Sequence, residues 1–315
     1  MDHWLLALTL LSVAAMLSCF RFAGCVLPTY HSAPETPDYG DTVKGETSLL
    51  AYWRLGEPPR TGPGGTAADE KGGNPGTYLL ADLMAGTQSS ETAHPPILQT
   101  GQPGLVVTTL PRTSVRVNGG YVSVPYSAVL NPPADKQFSV EAWVHPEWSP
   151  GETDLFRCVV ASREDTGANK YGYILYAGPV LDLATFATTD PTMHWQAWVG
   201  DGTTWQMLVG PPVAVGQATY LLLTYDGFSQ TLTLDAIDAN TDMSTYARWV
   251  GTGTIYGQNP PAAAKPLYIG MGATEILPPG QPMYPFLGSL QEVAFYDKAL
   301  TPSQVSDHVT AAGTL

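Results

Sequence analysis

From Ser48 onward, apolar and polar residues alternate in short runs broken by glycine and proline. In Phe138-Ser139-Val140-Glu141-Ala142-Trp143-Val144, one face collects Phe138, Val140, Ala142 and Val144, and the other Ser139, Glu141 and Trp143. A period of two sends successive side chains to opposite faces of a strand. Leu49–Leu55 and Tyr121–Val124 read the same way, the second closed by Pro125. Further strands are predicted at 158–162, 171–177, 193–199, 204–209, 219–225, 230–236, 266–271 and 288–296. Tyr225-Asp226-Gly227-Phe228-Ser229 separates two alternating runs, and Asp-Gly would supply the positive φ angles of a tight hairpin turn. Only Thr301–Ala311 reads as helix, with Thr301 as cap, Pro302 at the first helical position and Gln304 where a capping box needs it. Successive strands with no helices between them predict an all-β, two-sheet antiparallel sandwich with one short C-terminal helix, not a parallel α/β sheet.

Composition supports that reading. The 32 glycines and 28 prolines follow no period, which excludes collagen and suits many turns. Hydrophobic residues at 44% allow a large core, while charged residues at 13% are about half the usual share. Residues 48–315 read as one domain, with Asp82–Pro96 as a polar surface loop. The net charge of −14 and the lack of any Lys/Arg stripe argue against a nucleic-acid partner. Of the three cysteines, Cys19 and Cys25 precede the body and Cys158 stands alone in it. No Cys-x-x-Cys occurs, so neither zinc, dithiol chemistry nor a disulfide framework is expected.

Residues 1–25 form a hydrophobic leader. Trp4–Phe20 is apolar apart from Thr9, Ser12 and Ser18, short for a membrane span and long for the core of a signal peptide. Met1-Asp2-His3 lacks a positive charge, and Phe22-Ala23-Gly24-Cys25 resembles a lipobox that would lipidate Cys25. Three fates stay open: a lipoprotein signal, an ordinary cleaved signal, or a retained anchor or buried arm. Residues 26–47, with three prolines and no apolar period, read as a tether. The expected location is extracellular or at the cell surface, with membrane contact only through the leader or its lipid; a virion is the alternative.

Several blocks, in order, carry a family likeness. Ala51-Tyr52-Trp53-Arg54-Leu55-Gly56-Glu57 is followed by Ala67-Ala68-Asp69 and Gly73-Asn74-Pro75-Gly76-Thr77-Tyr78. Gly120–Pro125, Phe138–Val144, Leu223-Thr224-Tyr225-Asp226-Gly227, Leu267-Tyr268-Ile269-Gly270 and Phe286–Leu300 come next. Together they resemble the laminin-G-like (concanavalin A-like) jelly rolls of the bacterial and phage type. The resemblance implies a jelly roll, usually extracellular, that binds glycans or proteins and in some members holds calcium. It places a structural Ca2+ where the first loop meets the last strand, at Glu57, Asp69, Asn74 and Glu292. Asp69 and Asn74 equally suit turn residues that bond their own backbone.

Chemistry is harder to find. Glycosidases need two carboxylates within about 5–9 Å of each other. Glu152-Thr153-Asp154 sits in a loop, and Glu141 and Glu292 stand on separate strands as polar residues of a sheet face. No Gly-x-Ser-x-Gly occurs, and Cys158 lies in an apolar run that suits an inert buried thiol. For ligand binding, sugars stack on aromatic rings. The candidates are Trp195, Trp198, Trp205, Trp148 and Tyr171. Alternation puts Trp195 and Ala197 on one face of their strand and His194, Gln196 and Trp198 on the other, one of the two sets being core.

The expected function is a non-catalytic recognition or adhesion module whose partner is a glycan or a surface protein. The alternative is a structural component of a phage virion or extracellular assembly, partnered by copies or other subunits. A polysaccharide hydrolase ranks third.

Overall fold

In a computed structural model of the chain, the alternating runs fold into seventeen strands among the described residues. The structure describes residues 38–81, 94–106, 112–133, 135–149, 152, 156–165, 168–238, 265–272 and 284–313, together with the backbone of 244–249. The leader, Cys25 and most of the Asp82–Pro96 loop lie outside the described residues. Residues 37–315 form one compact unit.

The first strands are β1 (Leu49–Trp53), β2 (Arg60–Thr61), β3 (Thr66–Ala67), β4 (Gly76–Leu80), β5 (Ile97–Pro103) and β6 (Thr113–Asn118). Next come β7 (Gly120–Val124), β8 (Phe138–Pro146), β9 (Arg157–Asp165), β10 (Lys170–Leu181), β11 (Thr188–Gly200) and β12 (Trp205–Pro212). The last are β13 (Thr219–Asp226), β14 (Thr231–Asp238), β15 (Ser244–Trp249), β16 (Leu267–Ile269) and β17 (Leu287–Tyr296). Sheet A has nine strands in the order β15-β14-β13-β8-β17-β6-β5-β2, with β1 also on β17. Sheet B has eight, in the order β12-β11-β10-β9-β16-β7-β4-β3. The neighbouring strands pair antiparallel, as the jelly-roll sandwich predicted from the sequence requires.

Between the sheets lies one continuous core. It takes Phe138, Val140, Ala142 and Val144 from β8, the predicted apolar face, together with Trp195, Ala197 and Val199 from β11. Burying such side chains stabilises a sandwich by about 25 cal/mol per Å² of apolar surface removed from water.

The outer face of sheet A is buried as well. Helix α1 (Tyr39–Gly45) and helix α2 (Pro302–Ala311) pack over it and touch each other. Tyr39, Val43, Trp143, Tyr220, Leu222 and Val305 belong to this second apolar layer. α2 starts as the sequence indicates: Thr301 and Gln304 form a capping box, with Pro302 behind the cap. α1 corrects an expectation. Its residues were predicted to be tether, yet Tyr39 and Val43 are fully buried.

One carboxylate joins the three parts of this layer. Glu141, on β8, is 0% exposed. Its Oε1 accepts from the hydroxyls of Tyr39 (3.1 Å) and Tyr296 (2.6 Å). Its Oε2 bonds the Tyr220 hydroxyl (2.7 Å) and His308 Nδ1 (2.9 Å). α1, β13, β17 and α2 thus meet on one buried charge, and Glu141 is the satisfied polar residue the sequence suggested.

The β13–β14 turn is a hairpin, but not for the reason its Asp-Gly pair implied. Gln230, not Gly227, carries the positive φ, at 54°. Gly227 is needed for close packing: a Cβ there would sit 2.6 Å from the backbone of Asp135 and Lys136. No helix among the described residues is long and apolar enough to cross a membrane.

Candidate functional site

A pocket opens where β17 changes partner. Along one edge, Leu287–Leu290 pairs with Val115–Asn118 of β6, and Val293–Tyr296 pairs with β1. Between these two pairings lie Gln291 and Glu292. Register on the opposite neighbour, β8, also slips between Gln291 and Ala294. A residue inserted at such a bulge is re-aimed out of the pleat. Glu292 accordingly has φ of 54°, and its amide donates to Arg54 O at 3.1 Å. Leu55, just beyond that contact, has φ of 58°. Left-handed backbone costs a non-glycine residue about 1–3 kcal/mol and concentrates at functional sites.

The resulting pocket has a volume of about 410 Å³. Arg54, Glu57, Glu70, Arg112, Gln291 and Glu292 supply its polar wall. Arg54 reaches Glu292 Oε1 at 3.1 Å, and the Tyr52 hydroxyl and Gln291 Nε2 donate to the same carboxylate. Burial raises the Glu292 pKa, and Arg54 and Tyr52 oppose it without cancelling it. Glu57 accepts from Ala68 N (3.0 Å) and the Tyr78 hydroxyl (2.5 Å). Arg112 bonds Asp38 at 2.6 Å, which fastens the start of α1 to this rim.

Of the four residues the resemblance assigns to calcium, Glu57 and Glu292 line the pocket. Asp69 does not. It accepts four backbone N–H groups, from Tyr52, Lys71, Gly73 and Asn74, at 2.8–3.0 Å. Asn74 contributes a carbonyl that accepts from Trp53 Nε1 at 2.8 Å. Ca2+ needs six to eight oxygens. Here Asp69 is committed to amides, two guanidiniums stand in the pocket, and no group of three His, Cys, Asp or Glu suited to a metal occurs among the described residues. The donor set does not fit Ca2+. A ligand at 100 times its Kd would add about 2.7 kcal/mol, a shift of several degrees. Calcium followed by EDTA is expected to leave the thermal midpoint unchanged; a reversible rise of that size would restore the metal.

The aromatic candidates do not form one open platform. Trp195 and Trp148 are 1% and 2% exposed and sit in the core between the sheets, out of reach of a sugar. Trp198 and Trp205 pack with Cys158, Tyr176 and Phe156 on the outer face of sheet B, at 5% and 6% exposure. Tyr171 lies half-buried at the start of β10. Cys158 is a free, fully buried thiol whose pKa burial raises. The sequence reading missed Arg54, Glu70, Arg112 and Gln291.

A profile of the Concanavalin A-like lectin/glucanases superfamily matches residues 116–306. No curated protein matches the chain. Among solved structures, domain 4 of an extracellular arabinanase from Geobacillus stearothermophilus, in complex with arabinotriose, is similar at 18% identity and a TM-score of 0.43, over 83% of this chain and 98% of that one. A Trypanosoma rangeli sialidase is similar at 13% identity and a TM-score of 0.46, over 82% of this chain but 32% of its own. The binding domain of botulinum neurotoxin serotype D is similar at 10% identity and a TM-score of 0.47, over 84% of this chain and 51% of its own.

Proposed function

Because this chain belongs to the concanavalin A-like lectin/glucanases superfamily, we propose that it is a carbohydrate-binding module that holds a glycan at the β17 bulge and does not cleave it. The observation that carries this reading is the polar pocket of about 410 Å³ that opens at the β17 bulge, where Glu292 holds a left-handed φ. The size suits one or two sugar rings. The wall is made of guanidinium, carboxylate and amide groups, whose paired donors and acceptors match vicinal hydroxyls.

Two of the three carboxylates are already held, Glu57 by Ala68 and Tyr78 and Glu292 by Arg54, Tyr52 and Gln291. That arrangement favours binding over catalysis. Hydrolysis is the second reading, favoured by the raised pKa of Glu292, which suits a general acid.

Binding of the full chain to a panel of neutral and acidic oligosaccharides tests both. At least one glycan should bind, and Arg112→Ala and Glu70→Ala should each weaken it about tenfold, a change of about 1.4 kcal/mol. Unchanged affinity in both folded variants would remove this pocket from the function. Release of new reducing ends, abolished by Glu292→Gln, would establish hydrolysis.

A further inference from the structure

Sheet A offers a second opening, at the tip of the β13–β14 hairpin. Across this pair Leu222 faces Asp235, Thr224 faces Thr233 and Asp226 faces Thr231. The outer face therefore turns from apolar, under the helices, to hydroxyl and carboxylate toward the turn. α2 begins alongside. Thr224, Thr231, Thr233 and Asp235 on one side, with Leu300 and Val305 on the other, enclose a groove of about 320 Å³.

Phe228, the chain neighbour of the lining residue Ser229, is 80% exposed, the most exposed of the large hydrophobic side chains described. Its turn is fixed. Asp226 Oδ1 accepts from Gln137 Nε2 (2.8 Å) and Phe228 N (3.0 Å), and Oδ2 from the Ser229 hydroxyl (2.7 Å). Gly227 lies against the backbone of 135–136, and Gln230 holds a left-handed φ. The phenyl ring is thus presented to water on a pinned turn.

We propose that this groove is a second carbohydrate-binding site, taking one neutral sugar ring, with Phe228 as the stacking ring at its mouth. A pyranose or furanose is amphipathic. Its C–H face suits Ala299, Pro302 and the phenyl ring, and its hydroxyls suit Thr231 and Thr233, the less buried residues of the lining. Asp226 and Asp235 disfavour a uronic or sialic acid by like charge. The site rests on glycan binding by this chain but not on the pocket at the β17 bulge.

Photo-cross-linking tests it on the full chain, with cellotetraose, xylotetraose and arabinotetraose each carrying a diazirine at the reducing end. Labelled peptides should span 224–235 and 299–305. Phe228→Ala and Thr233→Val should cut that label about fivefold, the loss of about 1 kcal/mol of stacking or bonding, without changing label near Arg54 or Arg112. Label confined to Arg54 and Arg112, or groove label indifferent to both substitutions, overturns the second site. Label confined to the groove supports it. No label in the groove, with the protein folded, overturns the second site and leaves the first pocket to its own panel.

Discussion

Glu141→Ala is expected to destabilise the protein by about 3–5 kcal/mol, the cost of removing one partner from a buried ion pair, and to lower the thermal midpoint by about 10 °C. The substitution removes the shared acceptor of three buried phenols and leaves His308, itself 0% exposed, beside only Glu46 at 3.5 Å. The loss should fall first on the helical layer, since Tyr39 of α1 and His308 of α2 both reach the sheet through this carboxylate. The pH dependence follows from the same group. Burial raises the Glu141 pKa, but His308 and the tyrosine hydroxyls more than offset it and leave it below the ordinary value of 4.5. That contribution is present above about pH 4.5 and is lost as pH falls through the folded value. Burial lowers the His308 pKa, and Glu141 and Glu46 more than offset it, leaving it above 6.5. Its contribution is present below about pH 6.5 and is lost as pH rises through the folded value. Stability of the native chain should therefore decline on both sides of a window from about pH 4.5 to 6.5. Glu141→Gln, of nearly equal volume, should flatten both limbs. Chemical denaturation across pH reads this directly; a loss under 1 kcal/mol with unchanged limbs would show that the pair contributes nothing.

Period-two patterning made most of the strands legible, because one face of each strand must enter a core and the other must not. It failed where that assumption failed. On β8 the face carrying Ser139, Glu141 and Trp143 is as buried as its opposite, under two helices. Trp143 was the visible hint. α1 was missed because seven residues are too few to show a helical period, and Asp38 makes no side-chain cap. Its helix rests on distant partners instead, with Asp38 on Arg112 and Tyr39 on Glu141. The site divides the same way. Glu57 and Glu292 could be named from ordered blocks of sequence that resemble a family. Arg112, Glu70 and Gln291 could not, since they meet only because β6 and β1 share one edge of β17. Nothing local in the sequence records that exchange.

Trp195→Ala is expected to cost about 3–5 kcal/mol and about 10 °C in thermal midpoint, with no loss of glycan affinity in the fraction that remains folded. Aromatic-rich Met193–Trp198 reads as a sugar platform, and period two leaves open which of its faces is core. Register decides it: Trp195 lies opposite Ala177 of β10 and points between the sheets, 1% exposed. Truncation there opens a cavity that the two rigid sheets cannot fill. Its indole Nε1 is buried without a hydrogen-bond partner. Trp195→Phe therefore forfeits volume but no bond, and should cost clearly less than the alanine variant. Denaturation midpoints and oligosaccharide titrations on the same two variants separate core from platform. A Trp195→Ala protein of native stability that no longer binds would return this tryptophan to the ligand. A destabilised protein that still binds assigns this tryptophan to the core and leaves recognition to residues outside it.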